Sequence, residues 1–432
     1  MKGPSIFAIV LVTALSPAFG QAPSTTLTRE QAEQMAIKNN PTISISKLLA
    51  LAQHQVVREV RSAELPDLQG SLAAVEPNDS ASRISAVGIT APRLIEHIGG
   101  GVELSQLITD FGRTPNLVAS SQLSEKAQIA NAKATTADIV LATDQAFYLA
   151  LQAQATLRVT QQTESERQAV ANQVTALTES KLKSTLDQSF AEVNLSQAQL
   201  LVLDARNNLD AALAQLNSIL GLETTTPFTL VEEANALPAP PPDSDVLVKL
   251  ALQQRPDLVA LDDARQAADK FRIAQRDQML PTLNAIGTVG GTPVGDKQNF
   301  PENWYGAIGL SVQVPIFNGF RYSADTQEAA LRERAAQERV RDLRTRIVRD
   351  VYTSWLSANS SFKRVAVTEQ LLKQANLALQ LAQTRYNLGL SSIVELSQAQ
   401  LQQTEAAISD ANARYQYRFS LSALQFQTGA QP

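Results

Sequence analysis

The chain has no cysteine and only two histidines, His54 and His97. The first absence excludes disulfides, thiolate metal sites and a lipid-modified N-terminal cysteine. Neither histidine stands in a metal-binding spacing, and neither can be joined to a nucleophile elbow in a Ser-His-Asp order. A glycine-rich phosphate loop and an HExxH motif are missing too. No catalytic residue, cofactor or resident metal is therefore expected. Acidic pairs such as Asp262-Asp263 and Glu232-Glu233 read as solvated charge. The formal net charge of −5 argues against nucleic acid as a partner. Long hydrophobic runs are also missing: beyond residue 20 nothing approaches the roughly 18 apolar residues of a membrane helix. That leaves secretion, the periplasm, or insertion as a β-barrel. Aromatics make up only 5% of the chain, while Ala, Gln and Leu abound. Such a composition suits elongated, closely packed helices better than one thick globular core.

Residues 1–20 read as a secretory signal peptide. Lys2 gives the positive start, Ile6 to Leu15 the short apolar core, and Ser16-Pro17-Ala18-Phe19-Gly20 the break with small residues.

What the rest contains is a duplication. One copy runs from about Leu27 to Gly221, the other from about Ser244 to Gly429. Pro41 in NNPTI answers to Pro256 in RPDLV, and Pro66 in AELPDL to Pro281 in DQMLPTL. The phrases TDFGR (109–113) and IFNGFR (316–321) correspond, as do NLSQAQL (194–200) and ELSQAQL (395–401). A unit this long is no solenoid repeat; it points to two pseudo-equivalent halves of one architecture. Residues 222–243, with Pro238, Pro240, Pro241 and Pro242, form a stiff linker between them.

Each copy opens with a helix broken at its first proline. Thr28 is placed to cap the first one, with Gln31 completing a capping box. Strands follow, expected at 67–75 and 101–109 in copy one and at 282–290 and 303–316 in copy two, with more strand around 84–89. In the clearest of them Trp304, Gly306, Ile308, Leu310 and Val312 share one parity; Tyr305, Gly309, Ser311 and Gln313 hold the other. This period of two suits an ordinary sheet on a core, and equally a barrel strand facing lipid. Four strands cannot close a barrel, so a membrane reading requires several chains to pool theirs. Long helices are expected at 113–183, 189–220, 320–388 and 391–427. Gly389 suits a left-handed C-cap, with Ser391 or Ser392 as the next N-cap. The matching turn near Lys183-Ser184-Thr185-Leu186-Asp187-Gln188 lacks glycine and is expected to use another geometry.

Together these phrases resemble the TolC family of outer membrane efflux proteins. The most specific stretch runs from Arg385 to Gln400 (RYNLGLSSIVELSQAQ), which is similar to the family's helical tip motif. The resemblance implies an α/β membrane protein, a strand hairpin plus a long helical hairpin given twice. It implies a homotrimer whose four strands per chain make a twelve-stranded outer-membrane β-barrel, continued by a periplasmic α-helical barrel. Its partners would be outer-membrane lipid, a periplasmic membrane-fusion adaptor, and an inner-membrane transporter driven by protons or ATP. The function implied is the exit duct of a tripartite efflux or type I secretion system.

By the same resemblance, Glu395 holds an acidic position of the pore constriction, and Gln398 the second acidic position one turn on. Gly389, Leu390, Ser391 and Ser392 match the adaptor-contacting tip, with Leu186 and Asp187 at its degenerate counterpart. Trp304 and Tyr305 are expected as membrane-interface anchors or as packing at the base of a loop, and Arg113 and Arg321 at the inner leaflet or paired with nearby carboxylates. The competing reading is a periplasmic or secreted coiled-coil scaffold, which accounts poorly for the strands.

Overall fold

The computed structural model describes residues 25–75, 83–86, 89–93, 97–232, 236–291 and 304–430. The signal segment and residues 292–303 lie outside the described residues; a polar loop is expected from Gly290 to Glu302, but Gly290 and Gly291 still belong to a strand.

Two short helices begin each repeat: α1 (Arg29–Asn39) and α2 (Pro41–Ser62), then α5 (Ser244–Gln254) and α6 (Pro256–Asp277). Thr28 and Gln31 form the capping box of α1. The residues before Pro41 and Pro256 are forced into extended backbone, with ψ of 124° at Asn40 and 122° at Arg255, and each ends one helix and starts the next. Strands β1 (Thr25–Leu27) and β6 (Phe228–Leu230) pair in parallel across the repeats. Around them Phe147, Leu151, Leu216 and Leu220 make the best-buried core.

That core also holds a charged pair. Glu33 and Asp144 are 7% and 4% exposed, with Arg29 2.5 Å from Glu33 and 3.6 Å from Asp144. Burial first, then the hydrogen bond and charge of Asp144, push the Glu33 carboxyl up to about 7; Arg29 pulls the other way and Glu30 adds to the rise. Unfolding restores an ordinary carboxylate near 4.5. The unfolded chain therefore loses this proton at lower pH than the folded one, and stability falls as pH rises through the window from about 4.5 to about 7. Glu33→Gln should flatten that slope. At pH 8 it should be more stable than the parent by about 1–3 kcal/mol. Thermal melts across this window check it; an unchanged slope would reject Glu33 as the source of the pH dependence.

A four-stranded antiparallel sheet has the order β2 (Asp67–Val75), β5 (His97–Thr109), β7 (Thr282–Gly291), β8 (Trp304–Gln313). A separate hairpin, β3 (Arg83–Ala86) and β4 (Ile89–Arg93), lies between β2 and β5 in the chain. The ladder of β8 ends at Gln313, so Val314 and Ile316 extend the parity but not the pairing.

Register explains the sheet. Leu68 pairs with Leu104, Leu104 with Gly287, and Gly287 with Ile308. Directly paired residues share a face, so these four form a row, and Gly70, Val102, Val289 and Gly306 form the next. This face is apolar and bare: Leu72 is 81% exposed, Ile308 92% and Leu310 73%. The other face carries Gln69, Ser71, Glu103, Ser105, Asn284, Thr288 and Ser311. A sheet with one apolar and one polar face, neither of them packed on a core, suits the wall of a barrel whose apolar side meets lipid.

From the sheet the wall continues in helices of the same order. Helix α2 packs on α3 (Arg113–Glu179), α3 on α6, and α6 on α7 (Arg321–Asn387). Farther down, α4 (Thr185–Ile219) and α8 (Ile393–Thr428) take over from α2 and α6, giving the order α4, α3, α8, α7. Helices α3 and α7 have 67 residues each, about 100 Å of rise. The edge helices keep bare apolar residues: Ile45, Leu48 and Leu49 on α2, Phe190 and Val193 on α4, Val348 and Tyr352 on α7. Among the described residues no helix is long and apolar enough to cross a membrane.

Candidate functional site

The site of interest is the far end of the two long hairpins. Its turns contradict the expected difference in geometry. In copy two, Gly389 N–H donates to the Tyr386 carbonyl at 3.0 Å and Leu390 N–H to the Arg385 carbonyl at 2.8 Å. In copy one, Lys181 N–H donates to the Thr178 carbonyl at 2.9 Å and Leu182 N–H to the Leu177 carbonyl at 2.8 Å. These are the same Schellman-type stop. The counterpart of Gly389 is therefore Lys181, two residues before the expected stretch of Lys183 to Gln188, and Lys181 takes φ of 61° where Gly389 takes 73°. A lysine accepts the left-handed conformation, at about 1–2 kcal/mol, because the helix stop and the following cap over-determine it.

The caps match as well. Ser184 Oγ accepts from Asp187 N–H at 3.2 Å, and Ser392 Oγ from Glu395 N–H at 3.4 Å. The two acids then diverge. Asp187 turns back on its own cap, accepting from Ser184 N–H and Oγ–H at 3.2 and 2.9 Å. Glu395 instead reaches across its hairpin to Arg385, at 3.3 Å, with both side chains about half exposed. Gln398 lies one turn farther along α8 and is exposed; Gly389, Leu390, Ser392 and Leu186 are exposed too.

The two tips touch. Lys183 Nζ sits 4.5 Å from the centroid of the Tyr386 ring, a cation–π contact. Tyr386 is buried with its hydroxyl unpartnered, and burial, then the charge of Asp187, raise its pKa. Behind it Val170, Val174, Ala191, Ile393 and Leu396 form a core shared by both hairpins, and Asn194 Nδ2–H donates to Ser397 Oγ at 2.6 Å. The sequence reading missed this contact. The recurring serine with an acid three residues on, in Ser184/Asp187 and Ser392/Glu395, was the available signal.

None of the four expected interface residues lies at the tips. Trp304 is on the apolar face, 71% exposed. Tyr305 takes the opposite face, as strand neighbours must. Its hydroxyl lies where a Cβ on Gly290 or Gly101 would stand, 2.8 and 3.4 Å away, so the ring covers that glycine row on the polar side. Trp304 and Tyr305 are thus not a pair. Arg113 and Arg321 are exposed where α3 and α7 begin, Arg321 lying 5.0 Å over the Tyr322 ring. Beside them stand residues the reading overlooked: Phe111 and Phe320, both at positive φ, and Phe317 edge-to-face with Phe320 at 5.6 Å. All three are bare, at 58–76% exposure.

Residues 33–222 and 247–430 match the outer membrane efflux protein family, one stretch in each repeat. The chain belongs to that family. The Outer membrane protein TolC of Escherichia coli K12 is 26% identical over 90% of this chain and 79% of its own length. The TolC of Vibrio cholerae is 25% identical over 96% and 94%. The fold matches the CmeC outer membrane channel of Campylobacter jejuni with a TM-score of 0.79, at 16% identity, over 99% of this chain and 94% of that one. As a member of the outer membrane efflux protein family, the protein is an outer-membrane channel extending into the periplasm, a homotrimer within a tripartite efflux or secretion system. It is a transport duct and not an enzyme. The scaffold reading falls with this, and the bare apolar sheet face had already told against it.

Proposed function

We propose that this efflux-family channel is a passive exit duct whose tips dock a periplasmic membrane-fusion adaptor. An inner-membrane transporter, driven by protons or ATP, supplies the energy. Edge strand β2 of one copy pairs with β8 of the next, so three sheets close and no edge meets lipid. Helix α7 then lies against α2 of its neighbour near the sheet and against α4 lower down, which covers their bare apolar residues. Trp304 anchors the outer rim, and Arg113 and Arg321 meet the inner-leaflet headgroups.

Glu395 and Gln398 line the constriction in this reading, and Gly389 to Ser392 with Leu186 and Asp187 form the docking surface. The observation that carries it is the position of Glu395: one turn past the exposed tip, half exposed, with its carboxylate drawn across the hairpin by Arg385. An exposed pair of this kind contributes little stability, about 0–1 kcal/mol, so it opens at little cost and releases the Glu395 carboxylate to act on ions. A ring of three such carboxylates favours cations in a narrow lumen.

Glu395→Gln should lower the cation-to-anion permeability ratio of the purified trimer in planar bilayers about two- to fivefold. The thermal midpoint should stay within about a degree. An unchanged reversal potential in a salt gradient would remove Glu395 from the constriction.

A further inference from the structure

The four strands of the sheet contain no lysine and no arginine. Their acids are Asp67, which opens β2, and Glu103, in the middle of β5, and both stand on the polar face. Glu103 lies opposite Gln69 on β2 and Thr288 on β7. Its diagonal neighbours are Asp67, Ser71, Ile286 and Gly290, so the ladder offers it no counter-charge. Asp67 is engaged, accepting from Gln69 Nε2–H at 2.8 Å. Glu103 is exposed, and among the described residues nothing donates to its carboxylate. Strand β5 is an inner strand, so copies that join at β2 and β8 leave this side chain uncovered.

A barrel of three such four-stranded sheets leaves room around that carboxylate. Strands about 4.8 Å apart and tilted about 40° put the backbone roughly 12 Å from the axis. Tyr305 lies along the wall over Gly101 and Gly290 and takes little of the lumen. Side chains reaching inward by about 5 Å then place the Glu103 carboxylates of the homotrimer roughly 7 Å from the axis. The Debye length is about 10 Å at 0.1 M salt and about 3 Å at 1 M. At the lower salt the fields of the carboxylates overlap across the lumen; at the higher they stay at the wall.

We propose that Glu103 is a specificity-determining residue of the duct: its copies make the outer-membrane section favour cationic over anionic solutes, through a field that salt screens. This rests on the barrel closure proposed above, which turns the polar face to the lumen. It does not depend on the constriction assigned to Glu395, which lies at the opposite end of the long helices.

The absence of cysteine gives a clean probe. Thr288→Cys puts a thiol opposite Glu103. With the trimer in lipid vesicles, its rate of modification by a cationic trimethylammonium methanethiosulfonate is compared with that by an anionic sulfonate one. The ratio reads the local potential, because a change in thiol ionisation acts on both reagents alike. At 0.1 M salt, Glu103→Gln should lower the cation-to-anion ratio about fivefold. At 1 M the effect should shrink below about twofold. Glu103→Asp, which keeps the charge, should keep most of the preference. An unchanged ratio at 0.1 M would overturn the proposal, and so would an effect equally large at 1 M, the mark of a direct contact and not of a field. Ile308→Cys, on the apolar face, is the control for the closure and should stay unmodified. If it reacts while Thr288→Cys does not, the faces are reversed and the closure falls as well. If Thr288→Cys alone reacts, an unchanged ratio condemns the role of Glu103 and leaves the barrel standing.

Discussion

Ile308→Arg is expected to keep the protein out of the outer membrane. Ile308 is the middle of β8, 92% exposed, in the apolar row with Leu68, Leu104 and Gly287. An arginine on the lipid face near the bilayer midplane costs about 2–4 kcal/mol, and the homotrimer carries the change three times. Snorkelling offers little relief at mid-strand, where both interfaces are about equally far. Ala307→Arg is the matched control. It sits one residue away, on the polar face with Thr288 and Glu103, and should insert nearly as well as the parent. The amount of heat-modifiable trimer in the outer-membrane fraction decides between them. Equal recovery of both variants would mean that the apolar face does not meet lipid.

That pair of neighbours also marks how far the sequence could be read. The period of two in β8 was plain, but periodicity alone does not say whether the apolar side meets a core or a bilayer. Pairing of Leu68, Leu104, Gly287 and Ile308 across four strands from two distant repeats decides it, and register between strands about 200 residues apart leaves no local trace. Proline breaks and serine caps were legible because they act within one turn of helix, as at Asn40-Pro41 and Ser392. Lys181 was not: its left-handed backbone opposes residue preference and follows from the helix stop around it. Phe111 and Phe320 were hidden for the same reason.

The correspondence of Gly389 with Lys181 sharpens the expectation for the tip. Gly389→Arg should abolish export while leaving trimer and barrel intact. A Cβ at Gly389 meets nothing within 4 Å, so the new side chain points into open space and disturbs no core. The remaining cost is the left-handed backbone, about 1–2 kcal/mol, and copy one already carries a long basic residue in that conformation. The variant should therefore fold. Loss of export must then come from bulk and charge on the surface proposed to dock the adaptor. A change at Gln188, inside the first turn of α4, is not the matching test, because that residue is not at the turn. Lys181→Gly is the matching test. It relieves the strained lysine, should stabilise copy one's hairpin by up to about 1 kcal/mol, and should leave export unchanged. Export is measured beside trimer yield and site-directed crosslinking of the tip to the adaptor. If Gly389→Arg exports fully, the tip of copy two is not a docking surface. If Lys181→Gly loses export, the lysine-bearing tip of copy one is a contact in its own right, and the two hairpins meet the adaptor with different chemistry.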